Sequence, residues 1–432
     1  MKTLNDSIEL VNKLFKLKKG SYTMNNELLE KYALLLVKTG INIQKNQTLV
    51  INAPIECASF VRIASKIAYN EGAREVVINW RDELSSKIKF MNAQDEVFLE
   101  YPDWQRDFYL SNVRSGAAFL SISASDPELM MDVDPERMSN SHKAASTAIK
   151  EYRERLMSNR NVWCIASIPT TAWAKKVFPE VSEDEAVEKL WDAIFKTVRV
   201  DTIDPVASWE IHKVNLKKSM DFLNSNNFKY LKYKNSLGTD LKIELSEEHL
   251  WLGGSEYTPE GIEFIANMPT EEVFTLPKKT GVNGIVVSSK PLNYNGNLIE
   301  DFSLTFKEGR IIDFKAQKGY DSLKSIIETD EGSYYLGEVA LVPHDSPISN
   351  SNILFYNTLF DENASCHLAI GKAYPVCIKN GENLSAQELQ KLEVNDSFVH
   401  EDFMVGTEDL EIIGITRDGK EVPVFKNGNF AF

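Results

Sequence analysis

The pattern of apolar residues changes near residues 205–227, and this change limits the possible folds more than any other feature of the chain. Before it, apolar runs of strand length alternate with helical stretches. After it, the apolar runs are short and glycine-containing turns are frequent. The 432 residues also exceed the usual size of a single hydrophobic core. The sequence therefore predicts two domains, residues 24–226 and 227–432, after an N-terminal extension of residues 1–23.

The first half predicts an open α/β sheet with helices on both faces, because strand and helix signals alternate along it. The predicted strands span residues 48–53, 75–80, 117–123 and 162–167. The predicted helices span residues 25–38, 56–71, 134–155, 183–198 and 205–224. Neither G-x-G-x-x-G nor G-x-x-x-x-G-K-[ST] occurs in the sequence. We therefore expect this domain to act as a scaffold, a dimer contact or a substrate cover rather than to bind a nucleotide.

The second half predicts a mainly antiparallel, barrel-like catalytic domain with an embedded helix. Hairpin or turn signals occur at Leu237-Gly-Thr-Asp240, Asn295-Gly-Asn297, Glu308-Gly309 and Asp418-Gly419. Alternating apolar and polar residues flank the last two of these turns, as expected for strands with one buried face. The fold class is therefore α/β in the first half and β-rich in the second.

The composition is that of an ordinary soluble globular chain, with 43% hydrophobic and 26% charged residues. A net charge of −15 argues against binding to nucleic acid or to an anionic membrane surface. No apolar run reaches transmembrane length, and the N-terminus lacks the apolar core of a secretory signal. The four cysteines form no C-x-x-C pair and have apolar neighbours, which predicts buried, reduced thiols in a cytoplasmic protein.

Residues 360–374 indicate a helix that carries an imidazole and a phenol on one face. His367 and Tyr374 are seven residues apart, which is about two helical turns. Asp361 is a suitable N-cap for this helix. The aligned pair favours a metal site, although core packing with hydrogen-bonded polar tips is an alternative. Cys366 adjoins His367, but neighbouring helical residues point about 100° apart, so the two do not predict a Cys-His dyad.

Two strand segments and one turn add further candidate ligands. His400 and Asp402 are two residues apart and so project from one face of a strand. Glu338 lies inside an apolar strand, where an ionised carboxylate is rarely buried without a partner or a metal. Glu272 belongs to the segment 269–274. On pattern alone, His400-x-Asp402 also fits a hydrogen-bonded pair, and the segment 269–274 also fits a solvated turn.

The full set of candidate ligands combines carboxylate, imidazole and phenol groups, which suit hard and borderline divalent cations. Its members are Glu272, Glu338, His367, Tyr374, His400 and Asp402. Six such groups are too many for one catalytic tetrahedral ion and suit two ions that share a bridging carboxylate. Two such ions polarise a carbonyl and generate hydroxide from water at neutral pH, so the pattern predicts a metal-dependent hydrolase. By contrast, His142, His212 and His249 have charged neighbours and are predicted at the surface.

With these motifs in this order, the chain resembles the metalloaminopeptidase family of aminopeptidase T and aminopeptidase S. The motifs are Asn267-Met-Pro-Thr-Glu-Glu-Val-Phe-Thr275, Leu336-Gly-Glu-Val-Ala-Leu-Val342, Asn357-Thr-Leu-Phe-Asp-Glu-Asn-Ala-Ser-Cys-His-Leu-Ala-Ile-Gly371 and His400-Glu-Asp-Phe-Met-Val-Gly406. In the first half, Val162-Trp-Cys-Ile-Ala-Ser-Ile-Pro-Thr170 is also similar to the family. The resemblance runs from about Met24 to the C-terminus, so residues 1–23 fall outside it.

The resemblance implies a role for each candidate ligand. Two divalent ions would be held by Glu272, Glu338, His367, Tyr374, His400 and Asp402. Glu338 would be shared by the two ions, and Glu272 rather than Glu271 would be the ligand from its segment. Glu362 is a candidate for general acid/base catalysis or amine recognition, so the expected catalytic residues are Glu338, Glu362 and Tyr374. The resemblance also implies a homodimer whose α/β domains help to enclose the active-site cavity.

Together these features predict a cytoplasmic metalloaminopeptidase that removes N-terminal residues from short peptides by a two-metal, metal-hydroxide mechanism. Its partners would be peptides with a free N-terminus and a second copy of the chain. Zinc is the expected metal, and cobalt or manganese would also suit an oxygen-rich pair of sites. Two alternatives remain at this stage. One is another two-metal hydrolase that cleaves amides or esters, and the other is a non-catalytic, metal-dependent peptide-binding or assembly protein.

Overall fold

The computed structural model describes residues 26–294 and 297–432. The predicted N-terminal extension, residues 1–23, lies outside the described residues. The helices are α1 (Asn26–Leu35), α2 (Ala58–Asn70), α3 (Glu83–Asn92), α4 (Asp103–Arg114), α5 (Pro135–Ala148), α6 (Lys150–Met157), α7 (Thr171–Val177), α8 (Glu183–Thr197), α9 (Pro205–Asn226), α10 (Tyr320–Ile327), α11 (Pro347–Asn350), α12 (Thr358–Asp361) and α13 (Ala386–Lys391). No helix among the described residues is both long enough and apolar enough to cross a membrane.

The strands are numbered in chain order in the same way. Those of the first half are β1 (Thr48–Pro54), β2 (Glu75–Arg81), β3 (Ala118–Ser123) and β4 (Trp163–Ser167). Those up to residue 299 continue as β5 (Phe228–Lys234), β6 (Asp240–Leu245), β7 (Leu252–Gly253), β8 (Glu256–Tyr257), β9 (Glu263–Phe264), β10 (Asn267–Met268), β11 (Val273–Thr275), β12 (Pro277–Val287), β13 (Leu292–Tyr294) and β14 (Asn297–Ile299). The last are β15 (Ser303–Lys307), β16 (Arg310–Lys315), β17 (Leu336–Leu341), β18 (His367–Gly371), β19 (His400–Met404), β20 (Glu411–Thr416), β21 (Glu421–Lys426) and β22 (Asn429–Phe430).

The first half contains the predicted open α/β sheet. Its order is β10-β4-β3-β1-β2, and every pairing in it is parallel. The apolar run Leu49–Ile51 is fully buried, as expected for a parallel strand that helices cover on both faces. Strand β10 comes from the second half of the chain, and the segment with Glu271 and Glu272 follows it directly. The parallel sheet therefore anchors one wall of the candidate site. The division into two domains remains a prediction.

The second half is mainly antiparallel, but the barrel-like expectation is not confirmed. The described strands form an eight-stranded sheet in the order β16-β15-β12-β6-β5-β20-β21-β22 and a five-stranded sheet in the order β19-β18-β17-β11-β7, and neither closes on itself. Three of the predicted turns join paired strands, namely β5–β6, β15–β16 and β20–β21. The fourth, Asn295-Gly-Asn297, lies partly outside the described residues, although its flanking strands β13 and β14 pair.

The predicted helix over residues 361–374 is wrong. His367 starts strand β18, which pairs on one side with β17 and on the other with β19. The short helix α12 and a 3-10 turn, Glu362–Ala364, precede it, and Asp361 is the last residue of α12 rather than an N-cap. The Asp361 carboxylate instead accepts backbone N–H groups from Phe355 at 2.9 Å and Asn357 at 3.0 Å. Long-range strand pairing thus overrides the helical spacing of His367 and Tyr374.

The three strands β17, β18 and β19 have two chemically different faces. One face packs Val339, Leu341, Leu368, Ile370 and Phe403 into a large hydrophobic core of the second half. All of these side chains are at most 1% exposed. The opposite face carries the polar residues described below, and we call it the metal-site face. The four cysteines are buried and free, as predicted.

Candidate metal centre

Strand register places the predicted ligands side by side on the metal-site face. Glu338 in β17 lies opposite Ala369 in β18, which lies opposite Asp402 in β19. His367 and His400 are each two residues away from this row along their own strands, so their side chains share the face. The methyl side chain of Ala369 in the middle of the row leaves space between the two carboxylates. Three predicted ligand segments therefore converge as expected.

A β-bulge at Gly337 directs the Glu338 side chain to this face. Leu336 pairs with Ile370 and Glu338 with Ala369, so Gly337 is an extra residue in the ladder. Without it, Glu338 would share the face of Leu336, whose side chain lies in the hydrophobic core. A Cβ atom on Gly337 would lie 2.4 Å from the carbonyl oxygens of Gly371 and Lys372, so only glycine fits.

Side chains alternate in direction along the chain before β11, so Glu271 and Glu272 point to opposite sides. Glu272 lies 3.0 Å from His367, measured from Oε2 to Nε2. Glu271 points the other way and forms an ion pair of 2.8 Å with Arg199. Both carboxylates are buried. The expectation that Glu272, and not Glu271, faces the other candidate ligands agrees with this geometry.

The ligand atoms form two triads that share one carboxylate. Glu272, Glu338 and His367 make the first triad, and Glu338, His400 and Asp402 make the second. Within each triad the candidate ligand atoms lie within 4.8 Å of one another. Glu338 Oε1 lies 3.5 Å from His367 Nε2, while Glu338 Oε2 lies 3.5 Å from His400 Nε2. Each oxygen of Glu338 thus belongs to a different triad.

Both histidines are oriented by backbone carbonyls. His367 Nδ1 lies 2.9 Å from the carbonyl oxygen of Glu362, and His400 Nδ1 lies 2.7 Å from that of Lys372. A carbonyl oxygen only accepts hydrogen bonds, so Nδ1 carries the proton in each ring. Nε2 of each ring then faces the carboxylates, where it can bind a metal ion through its lone pair when it carries no proton. Metal-binding histidines are usually held by their second nitrogen in this way.

The charges of the two triads fit divalent cations. The buried carboxylates of Glu272 and Glu338 lie beside the half-buried carboxylate of Asp402, and among the described residues no lysine or arginine forms a salt bridge with them. Asp402 Oδ1 accepts no hydrogen bond from any described residue, and the group that faces Glu272 Oε2 is the His367 imidazole, at 3.0 Å. Burial raises the pKa of Glu338 to about 7, and Asp402 and Glu272 add to this shift. An unpaired buried carboxylate costs several kcal/mol, which a cation would offset.

Tyr374 reaches the site from the loop after β18 rather than from a helix. Its ring packs edge-on against His400, with ring centres 4.9 Å apart, and against Phe274, with ring centres 6.0 Å apart. Burial, followed by the charges of Glu338 and Asp402, raises the pKa of the Tyr374 phenol well above its usual value. The predicted neighbourhood of His367 and Tyr374 is therefore real, although its predicted cause is not.

Two further carboxyl groups, from the buried Glu362 and the half-buried Glu256, line the same pocket as the triads. Glu362 is 7% exposed, and burial together with the nearby Asp402 and Glu272 charges raises its pKa well above its usual value. Glu256 was missed by the sequence analysis. It accepts a hydrogen bond from Asn159, and burial raises its pKa to about 7. The only sequence signal for it is its position after the glycine pair 253–254.

Two connected spaces open onto the metal-site face. The small pocket, of about 50 Å³, is lined by both triads and by Glu256. The large cavity, of about 620 Å³, extends from Tyr374, His400 and Asp402 to the ends of β3 and β4 and to helix α6. Glu362 and Trp163 line both spaces. The first half of the chain thus forms the far wall of the large cavity.

Two histidines that were predicted at the surface are buried. His212 packs between Arg199 and Thr270, and its Nε2 lies 2.8 Å from the Thr270 carbonyl oxygen. His249 is 6% exposed, and its Nδ1 lies 2.7 Å from the Ser246 carbonyl oxygen. Charged sequence neighbours misled the prediction, because the surrounding backbone, and not the neighbouring side chains, satisfies these rings.

The sequence matches the family described as "Thermophilic metalloprotease (M29)" over residues 25–430. It is 51% identical over 404 residues to "Aminopeptidase 2" of Geobacillus stearothermophilus, covering 94% of this chain and 98% of that protein. It is 50% identical over 407 residues to "Aminopeptidase AmpS" of Bacillus subtilis (strain 168), covering 94% and 99% of the two chains. The solved structure of wild-type AmpT from Thermus thermophilus superimposes with a TM-score of 0.87 at 37% identity, covering 94% of this chain and all of that one.

Proposed function

We propose a two-metal mechanism for this chain, which belongs to the thermophilic metalloprotease (M29) family and is an aminopeptidase. The observation that carries the proposal is the position of Glu338. Its two carboxylate oxygens lie 3.5 Å from His367 Nε2 and from His400 Nε2, respectively, so that one side chain belongs to both triads. A shared carboxylate of this kind suits two ions about 4 Å apart.

The residues would divide between the ions as the triads do. Glu272, Glu338 and His367 would hold one ion, and Glu338, His400 and Asp402 would hold the other. Tyr374, which packs edge-on against His400, would act beside the second ion as a ligand and a catalytic group. When bound, the two ions would polarise the scissile carbonyl and lower the pKa of an attacking water molecule. We propose zinc as the metal, with cobalt or manganese as substitutes.

Glu362 is placed to move the proton that peptide hydrolysis requires. Its carboxyl group lines both the small pocket and the large cavity, so it borders the junction between the two spaces. Burial raises its pKa and so makes its carboxylate form a stronger base, which would take a proton from the attacking water and, once protonated, give it to the leaving amine. Its backbone carbonyl also orients His367, so the acid/base residue contacts a ligand of the first triad.

Glu256 is placed to hold the free α-ammonium group of the substrate. Its carboxyl group lines the small pocket and not the large cavity. A peptide whose scissile bond lies at the triads would therefore place its first residue in the small pocket and its remaining residues in the large cavity. Because the Glu256 carboxylate would need an ammonium group to neutralise it, the enzyme would cleave only the N-terminal bond of a peptide. The natural substrates would be short peptides with a free N-terminus.

We also propose that the enzyme is a cytoplasmic homodimer. Helix α3 exposes Leu84, Ile88 and Met91 by 60%, 62% and 47%, and their spacing puts them on one helical face. An exposed apolar face of this kind suits a subunit interface. The four buried free cysteines suit a reducing compartment.

Hydrolysis of a leucyl peptide by the purified protein tests the proposal. We expect release of free leucine, its loss after chelation, and its return when zinc, cobalt or manganese is added. The same peptide with an acetylated N-terminus should not be cleaved, because it lacks the ammonium group. Full activity in the presence of a strong chelator, with no ion detectable in the protein, would contradict the two-metal mechanism.

A further inference from the structure

Arg153 brings an unpaired positive charge to the wall of the large cavity. It lies on helix α6 and is half-buried, and its side chain lines the cavity together with Met157. Its Nη1 donates a hydrogen bond of 2.6 Å to the Ser146 hydroxyl. Within the part of the chain that the structure describes, no carboxylate forms a salt bridge with it. A guanidinium has five donor N–H groups, so most of its hydrogen-bonding capacity remains available.

The charged groups around Arg153 are already paired with one another. A groove adjoins the large cavity and shares Arg153 and Met157 with it. Two lysines line this groove: Lys150 pairs with Glu154 at 3.5 Å, and Lys372 pairs with Asp396 at 2.6 Å. The groove carboxylates Glu331 and Asp330 are likewise engaged, the first by Arg310 at 2.5 Å and the second by the Ser397 hydroxyl at 2.9 Å.

Arg153 therefore differs from the other cations that line the cavity and the groove. Its side chain lines the same cavity as Tyr374, His400 and Asp402, so its charge lies on a wall of the space that opens onto the metal-site face. A partly buried guanidinium without a carboxylate is typical of a site that binds an anionic group from outside.

We propose that Arg153 binds the C-terminal carboxylate of the peptide substrate and so makes the enzyme selective for very short peptides. This inference rests on the proposed function, because it uses the direction in which the substrate lies. Glu256 would hold the ammonium end of the peptide in the small pocket, and Arg153 would hold the carboxylate end in the large cavity.

The size of the large cavity sets the length of peptide that can reach Arg153. A space of 620 Å³ is roughly 10 Å across if it is compact. An extended peptide advances about 3.5 Å per residue, so two or three residues after the cleaved bond would span the cavity. Tripeptides and tetrapeptides would be favoured, and longer peptides would lose the contact because their C-terminus lies beyond Arg153.

The test compares a tripeptide, Leu-Gly-Gly, with its C-terminal amide, which has the same shape without the negative charge. We expect kcat/KM of the wild-type enzyme to be roughly 10- to 100-fold higher for the acid, as for a charge-assisted hydrogen-bonded pair. In Arg153→Gln the ratio of acid to amide should fall towards one. Arg153→Lys should keep part of the preference, because it keeps the charge but loses the planar fork.

Arg106→Gln is the matched control. It also removes one positive charge, but Arg106 pairs with Asp103 and Asp107 on its own helix, away from the cavity. This variant should keep the wild-type ratio. The thermal unfolding midpoint of each variant shows whether it is folded, and if Arg153→Gln does not fold, the wild-type ratio and Arg153→Lys decide the question.

The outcomes separate this inference from the proposed function. If the wild-type enzyme cleaves the acid and the amide equally well, or if Arg153→Gln lowers both by the same factor, Arg153 does not recognise the C-terminal carboxylate, and the metallopeptidase mechanism still holds. If the enzyme cleaves neither peptide with or without added metal, the proposed function itself fails.

Discussion

Two buried charge clusters lie on either side of the Glu271–Glu272 pair, and they differ in where their positive charge comes from. In the Arg199 cluster, formed by Arg199, His212 and Glu271, the guanidinium is 2.8 Å from the carboxylate. In the triads, three carboxylates face only two imidazoles. The difference teaches that burial of a carboxylate does not by itself mark a ligand. The Glu271 charge is compensated by the Arg199 guanidinium, whereas the triad carboxylates have no lysine or arginine partner among the described residues and would be compensated by a cation from solution.

The largest effect is expected for Glu338→Gln, which removes the shared charge from both triads. Activity should fall by at least about 100-fold, because no other side chain faces both ions. Bound metal, measured by elemental analysis, should fall below two ions per chain. The unfolding midpoint of the metal-free protein should not fall, because a buried, uncompensated charge is lost. A variant that keeps two ions and normal turnover would remove Glu338 from the site.

The next largest effect is expected for Gly337→Ala, which acts on the orientation of Glu338 and not on its chemistry. The added Cβ would lie 2.4 Å from two carbonyl oxygens, so the bulge cannot keep its form. We expect a loss of roughly 10- to 100-fold in metal affinity, comparable with the loss of an orienting partner. Gly419→Ala is the control for backbone strain alone, because its φ of 89° disfavours alanine although nothing lies within 4 Å of its Cβ position, in a turn outside the metal-site face. Equal metal affinity in the two variants would show that the bulge does not position Glu338.

Glu271→Gln tests the Arg199 cluster, in which the carboxylate already has a guanidinium partner. Removing one partner of a buried ion pair typically costs about 3 kcal/mol of folding free energy. We expect urea unfolding to shift accordingly, while the protein still binds two metal ions. If this variant instead lost its metal at unchanged stability, the assignment of Glu271 and Glu272 would have to be exchanged.

Within the Arg199 cluster, His212 should make stability fall as the pH falls, whereas Glu271, whose pKa burial raises to about 7, acts in the opposite direction. Burial, followed by the Arg199 charge, lowers the pKa of His212 to about 4. The unfolded chain takes up a proton near pH 6.5 and the folded chain does not, so stability is lost as pH falls from about 6.5 towards 4. Between pH 7 and pH 5 this costs about 2 kcal/mol. In His212→Asn the difference between urea unfolding free energies at the two pH values should be smaller by that amount, and an unchanged difference would contradict the assignment.

The smallest effect is expected for Cys366→Ser. Cys366 adjoins His367 but points to the opposite face of β18, into the hydrophobic core. Its Sγ accepts the backbone N–H of Val342 at 3.4 Å and donates to the carbonyl oxygen of the same residue at 3.3 Å. A hydroxyl group can make the same bonds, so turnover per bound metal should stay within about twofold of the wild type. Complete loss of turnover with metal still bound would point to a thiol mechanism.

The sequence predicted the strand-borne ligands because they obey a local rule. His400 and Asp402 share a face through the two-residue strand period, and Glu338 stands out as a charge in an apolar strand. The same local reasoning failed for residues 361–374. There the seven-residue spacing is helical, but hydrogen bonds from β17 and β19 on both sides hold the chain extended.

Other parts of the site follow no local rule. The choice between Glu271 and Glu272 depends on which side of the chain meets Arg199, some 70 residues away in sequence. Glu256 and Arg153 belong to no motif. Only the folded structure identifies them, because it puts Glu256 in the small pocket and Arg153 on the wall of the large cavity. Sequence spacing thus identifies ligands that share a strand, and it cannot identify groups that tertiary packing brings together.

The most direct test of the central claim is anomalous X-ray scattering from a crystal soaked in zinc and measured at the zinc absorption edge. We predict two strong peaks about 4 Å apart on either side of the Glu338 carboxylate, one near Glu272 and His367 and one near His400 and Asp402. A single peak away from Glu338, or no peak in crystals of active protein, would contradict the account.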